Sequence, residues 1–347
     1  MNKRWFLSTL LVCSIFLSSC NGSSTKNTVK KSSDKPKSSI VSKEVIKKDT
    51  KKKAPIYRSV YTGLKISKKQ YKNIPFMAVI ENSRAARPQA GLSKADIVFE
   101  TMAEGGVPRF MALFYSNSPK VIGPVRSARP YFLTLSVEFN LPFAHCGGSS
   151  EALNRIKTDS TIMSMNQYAY GNYYWRDPSR YAPHNLYTSA AKLRKLIRVK
   201  NYVHKPKSSL KFSTTYWNSN KTNIKNINMR FNSYYSTSYK YKNGLYYKYM
   251  DGIASMDKLY NKPLAFKNII IQITDISTRK DTRLNIKQTG NGKGYVLSQG
   301  KLIKINWKKS SEKSPTIITD KNGSVIKLSR GNTWWHILDS SCKLSFK

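Results

Sequence analysis

Apolar positions along this chain fall into two rhythms separated by a polar passage. From Pro75 to about residue 204, short apolar runs alternate with stretches of helical spacing; from Met229 onward, strand-like runs follow one another with only Gly and Asn turns between them. Phe76–Ile80, Ile97–Met102, 109–115 and 141–145 have the length and composition of buried strands. Residues 128–139 place Phe132, Leu135 and Phe139 at helical spacing, and 150–156 have a helical pattern after a Gly-Gly-Ser turn. The expected class is therefore α+β. An N-terminal mixed α/β domain over 56–204 is followed by a linker over 205–225 and a mostly antiparallel β domain over 226–347.

In the second region, 268–273, 294–297, 302–307, 316–318 and 324–328 read as strands. Asn243-Gly244 is a hairpin turn between Tyr239-Lys240-Tyr241-Lys242 and Leu245-Tyr246-Tyr247. On a half-buried strand this alternation puts tyrosines inward and lysines outward; on an open face it offers aromatic stacking beside positive charge.

Before the first strand the pattern changes twice. Residues 1–20 join a basic head, Lys3 and Arg4, to an apolar run and close on Leu17-Ser18-Ser19-Cys20. This is a secretory signal with a lipobox ending, which predicts lipidation of Cys20 and an extracytoplasmic, membrane-anchored product. Residues 21–55 are rich in Lys and Ser and nearly free of aromatics, the composition of a flexible tether. Its lysines would reinforce a single acyl anchor at an anionic surface. Cys146 and Cys342, the cysteines left in the folded part, read as two independent small residues.

Charge narrows the partners. The 347 residues hold 61 Lys+Arg against 18 Asp+Glu, a formal net charge of +43. Such a chain favours polyanions. Outside the membrane that points to an anionic wall polymer, or a fragment bearing phosphate or carboxylate, and away from nucleic acid. No metal-ligand spacing and no dinucleotide fingerprint is present, so neither metal nor cofactor is expected.

Candidate chemistry concentrates between Phe76 and Ser150. Glu104-Gly105-Gly106-Val107-Pro108 predicts a hairpin that brings Glu104 to face Arg109. Ser127 is placed to cap the 128–139 helix, with Pro130 in its first turn. Arg126 and Arg129 then flank a helix N-terminus, where free N–H groups already favour an anion; Asp96, Glu100 and Glu104 are the carboxylates that would neutralise them. Gly147-Gly148-Ser149 predicts a second backbone nest at a strand end, beside His145. Arg176, Arg180 and His184 extend the basic site. The expected roles are anion contact for Arg126 and Arg129, N–H donation near Ser127 and Ser149, and ligand orientation by His145. The alternatives are a wall-acting hydrolase or transferase using Glu104 or His145 as acid/base, or a scaffold for wall-synthesis proteins.

Pro88-Gln89-Ala90-Gly91-Leu92, Gly123-Pro124-Val125-Arg126-Ser127-Ala128-Arg129, His145-Cys146-Gly147-Gly148-Ser149 and Pro183-His184-Asn185-Leu186-Tyr187 resemble the YerB-like family of Gram-positive lipoproteins. The likeness continues through Asn306-Trp307-Lys308-Lys309 and Gly331-Asn332-Thr333-Trp334-Trp335. It implies a membrane-anchored extracytoplasmic lipoprotein with two domains, and brings no catalytic residues with it.

Overall fold

The computed structural model describes residues 55–347, apart from 203, 205, 206, 219 and 220; the expected signal, Cys20 and nearly all of the tether lie outside them. An N-terminal mixed α/β region precedes a mostly antiparallel β region, as the two apolar rhythms predict. The first holds strands β1 (Phe76–Ile80), β2 (Ile97–Met102), β3 (Pro108–Phe114), β4 (Phe143–His145) and β5 (Ser164–Asn166). Its helices are α1 (Lys68–Tyr71), α2 (Pro130–Phe139), α3 (Ser150–Thr158) and α4 (Ala190–Val199). The main strands of the second are β6 (Asn226–Arg230), β7 (Ser236–Lys242), β8 (Leu245–Met250), β9 (Asn268–Thr274), β10 (Gly290–Ser298), β11 (Lys301–Lys309), β12 (Ile317–Thr319), β13 (Thr333–Asp339) and β14 (Lys343–Phe346).

One sheet runs through both regions, in the order β12-β11-β10-β9-β13-β2-β3-β1-β4-β5. The join is β13, which pairs in parallel with β2 on one side and β9 on the other. Because β3 is antiparallel to both β1 and β2, while β4 is parallel to β1 and β5 to β4, the strands β1, β2, β4, β5, β9 and β13 all point one way. Their carboxyl ends share one edge, where α/β sheets commonly place ligands.

Strand alternation divides the core between the two faces. Consecutive residues of β13 point oppositely, so Trp334 joins one apolar layer and Trp335 the other. On the first face, Trp334 and Phe110 pack with Tyr239 and Tyr246 of the smaller β8-β7-β6-β14 sheet and with Leu193 and Leu196 of α4. On the second, Phe99 and Trp335 pack with Phe132, Leu135 and Phe139 of α2, the three residues whose spacing predicts that helix. Each such fully buried side chain stabilises the fold by roughly 1.5–3 kcal/mol.

The passage expected as a linker over 205–225 is in part built into the fold. Lys211–Ser213 pairs in parallel with Lys327–Ser329, and Thr222–Asn223 pairs with β11. Trp217 is fully buried and donates its indole N–H to the Lys327 carbonyl at 2.8 Å. Burial of Trp217, with the partly buried Phe212 packed against the same core, outweighs the polar composition around them.

Candidate functional site

Strand direction gathers the chemistry at the carboxyl edge. There β1 delivers Glu81, β2 leads into the Glu104–Gly106 turn, β4 leads into Cys146 and Gly147, and β3, running the other way, begins beside Arg109. The segment 125–128 lies extended across these ends. Arg126 N donates to the Val79 carbonyl at 2.9 Å, Cys146 N to the Arg126 carbonyl at 3.0 Å, and Ala128 N to the Gly147 carbonyl at 3.0 Å.

These backbone bonds correct the expected helix start. Held extended through Ala128, the chain enters α2 only at Pro130, with Arg129 as N-cap and no side-chain cap; Ser127 does not cap it. The Ser127 carbonyl instead accepts from Arg109 Nη1 at 3.3 Å.

Two ion clusters result. In the first, Arg129 Nε lies 2.6 Å from Glu104 Oε1, and Arg109 Nη2 lies 3.8 Å from Glu104 Oε2. Burial pushes the Glu104 carboxyl up, but the Arg129 hydrogen bond and the two guanidinium charges outweigh it and hold the group below the usual carboxylate range. Gly105 and Gly106 both have φ +70°, a conformation that lets this tight turn hold Glu104 in place. Arg129 is thus spent within the protein, at the carboxylate that faces Arg109.

The second cluster forms around Glu81, the residue that follows β1. Glu81 is 4% exposed. Its Oε1 lies 2.9 Å from His184 Nδ1 and accepts from Ser83 Oγ at 2.9 Å, while its Oε2 lies 3.3 Å from Arg126 Nε. Donation through Nδ1 turns His184 Nε2 away from the carboxylate. Burial pushes the Cys146 thiol up, against the pull of the Arg176 and Arg126 charges. Arg176 Nη1 bonds the neutral Asn185 Oδ1 at 2.7 Å, and no carboxylate among the described residues pairs with it. At Glu81, then, one partly exposed guanidinium and one partly exposed imidazole face a single buried carboxylate.

The remaining sequence candidates sit differently. His145 is fully buried, stacked on Phe143, with Nδ1 2.7 Å from the Gly147 carbonyl and Nε2 2.7 Å from Ser164 Oγ. Burial lowers its pKa to about 4. Both ring nitrogens are occupied, so it orients no ligand; it braces the turn after β4. Ser149 caps α3 by accepting from Ala152 N at 3.3 Å, and Gly148 bridges Ala128 through the backbone, so this Gly-Gly-Ser turn is closed on itself. Gly147 has φ +60° and donates its N–H to Asn166 Oδ1 at 3.0 Å. Arg180 binds the carbonyls of Ala86 and Pro88 at 2.8 and 3.1 Å and ties down the loop before Gln89.

A third ionic group lies wholly inside. Lys248 Nζ meets Glu100 Oε2 at 2.9 Å and Thr237 Oγ1 at 3.0 Å; Trp334 Nε1 donates to Glu100 Oε2 at 2.7 Å, and Tyr239 OH lies 2.9 Å from His336 Nε2. Glu100, expected among the partners of the arginines, is committed to this lysine. Asp96, the other expected partner, accepts from the amides of Tyr115 and Ser116 at 2.7 and 3.0 Å. Asp96 and Glu100 are therefore not what neutralises Arg126 and Arg129.

Two family models cover this framework. "Protein of unknown function (DUF3048) N-terminal domain" matches residues 61–203, and the corresponding "C-terminal domain" matches 226–335. "Putative lipoprotein YerB" of Bacillus subtilis (strain 168) is 34% identical over 304 residues, 83% of this chain and 86% of that protein. The chain belongs to the YerB-like family. The crystal structure of YerB from Bacillus subtilis superposes with a TM-score of 0.75 at 33% identity, covering 83% of this chain and 99% of that one. In this YerB-like chain the boundary between the two matched domains falls where Trp217 threads the core, and β13 joins the domains within one sheet. No helix among the described residues is long and apolar enough to cross a membrane.

Proposed function

We propose that this YerB-like chain is an extracytoplasmic lipoprotein, anchored to the outer face of the membrane through Cys20, that binds an anionic envelope ligand at the carboxyl edge of its sheet. The anchor rests on the lipobox ending of residues 1–20 and on the name of the Bacillus subtilis relative. The ligand is a phosphate or carboxylate, free or carried on a wall polymer. One observation supports this reading: the Arg126 guanidinium is 28% exposed and shares Glu81 with His184, whereas the guanidiniums of Arg129 and Arg109, each 14% exposed, close together on Glu104. An anion reaching this edge meets the more open of the two guanidinium groups, where a charge-assisted hydrogen bond to Arg126 can form.

Titration calorimetry on the full-length chain in detergent, with inorganic phosphate and glycerol-phosphate polymer as probes, tests this. Arg126→Ala and Arg176→Ala should each weaken saturable binding about tenfold, the worth of one charge-assisted hydrogen bond. Equal, salt-erased binding by wild type and variants overturns the proposal and favours a protein-scaffold role.

A second reading, hydrolysis of the bound ligand, is favoured by the Glu81–His184 geometry, in which a carboxylate orients an imidazole through Nδ1 and leaves Nε2 as a general base. Acid/base chemistry would then fall to His184, because His145 is enclosed and Glu104 is ion-paired. Turnover of a phosphodiester by wild type, lost in His184→Gln with binding retained, would establish it; binding without turnover would end it.

A further inference from the structure

A separate crevice opens where the carboxyl ends of β2, β13 and β9 meet the turn after β6. Met102, Leu338 and Asp339 contribute to its base. The Glu104–Gly106 turn forms one wall, Phe231 and Asn232 a second, and the two-stranded arm of Ile276–Thr278 and Leu284–Ile286 a third. The space is about 430 Å³, the size of a small-molecule site.

Its charge runs against that of the whole protein. Of 347 residues 61 are Lys or Arg, yet none of the residues lining this crevice is Lys, Arg or His, and two are acidic, Glu104 and Asp339. Arg129 and Arg109 already answer Glu104. Asp339 is held by backbone amides, Ser341 N donating to Oδ1 at 2.9 Å and Ile276 N to Oδ2 at 3.2 Å, and no Lys or Arg among the described residues pairs with it. Burial pushes the Asp339 carboxyl up, but these amides and the Ser341 hydroxyl outweigh it and hold the group below the usual carboxylate range, so it is charged at neutral pH.

An anion is disfavoured here, and a purely apolar guest would bury an unpaired carboxylate. A guest with an ammonium group, hydroxyls and an apolar face suits all three kinds of lining: Asp339, the hydroxyls of Thr278 and Thr282, and the apolar surface of Phe231 and Leu284. We infer that this crevice binds an amine-bearing polyol of amino-sugar size, its ammonium on Asp339 and its C–H face against Phe231. The site uses neither Arg126 nor Arg176, so it stands or falls apart from the anion site.

Calorimetric titration of the full-length chain in detergent with glucosamine, N-acetylglucosamine and glucose decides the matter. Glucosamine should bind saturably and at least about tenfold more tightly than the two sugars without a charged amine, as expected for one charge-assisted contact. Asp339→Asn should abolish that preference. Thr278→Trp, at an exposed position on the arm, should block binding while leaving Asp339 in place, which answers the question even if Asp339→Asn fails to fold. Absence of saturable glucosamine binding, equal affinity for the three sugars, or binding unchanged in Thr278→Trp would overturn the inference.

Discussion

The Glu100 and Glu81 clusters are built from similar parts and differ in what surrounds them. Each sets a buried carboxylate on a strand or at its end, with a cation and a histidine close by. At Glu100 the cation is a lysine with no exposed side-chain surface, and Thr237, Tyr239 and Trp334 supply further hydrogen-bonding groups. At Glu81 the Arg126 side chain is 28% exposed and the His184 side chain 27%. The first cluster locks two sheets together; the second keeps unspent hydrogen-bonding capacity toward solvent. Perturbed charge alone does not separate a structural group from a binding group, but unspent charge at an open edge does.

The sharpest way to break this comparison is to remove one member of the closed cluster. Lys248→Met should cost about 3–5 kcal/mol, because Glu100 is left buried and unpaired, and denaturant unfolding measures it. The double variant Glu100→Gln/Lys248→Met should recover much of that loss, since neither charge is then stranded. If the single and double variants were equally unstable, the lysine would matter for packing rather than charge.

The histidines supply the next largest effect. His145 takes its proton near pH 6.5 when unfolded but only near pH 4 in the fold, so between those values the unfolded chain holds more protons and stability falls as pH drops. The full contribution lost by about pH 4 is about 3 kcal/mol. Burial also draws His336 well below its ordinary value, so part of the same acid limb belongs to it. His145→Gln should therefore flatten, not abolish, the fall in unfolding free energy between pH 6.5 and 4; an unchanged slope would contradict the closed setting of His145.

The smallest expected effect is at the open cluster. Arg126→Ala should change stability by no more than about 1 kcal/mol, as for other partly exposed ion pairs, while its effect on anion binding is the tenfold loss described above. A large stability loss would move Arg126 to the structural side of the comparison.

Much of the fold was legible from the chain because apolar periodicity is a local property. The strands at Phe76–Ile80 and Ile97–Met102, and the Phe132, Leu135 and Phe139 face of α2, follow directly from it. The candidate site was legible only as a neighbourhood. Arg126 and His184 were singled out, but the residue that pairs with both, Glu81, meets a histidine 103 positions away, and no spacing rule reaches that far. Lys248 was hidden by alternation itself: it shares the inward face of β8 with Tyr246, where a surface lysine would be expected, and only Glu100 on a distant strand explains it. His145 misled because an imidazole beside glycines at a strand end looks the same in sequence whether its nitrogens are free or engaged.

The position of β13 has a consequence for how the molecule comes to exist. It is the innermost seam between the two halves of the large sheet, and every other strand of that sheet precedes it in the chain. During synthesis the open sides of β2 and β9 must wait, each a row of unpaired backbone groups suited to capturing stray strands, until the last of their neighbours arrives. Assembly is therefore decided late, and a chain stalled before Thr333 would carry two sticky borders instead of one finished sheet.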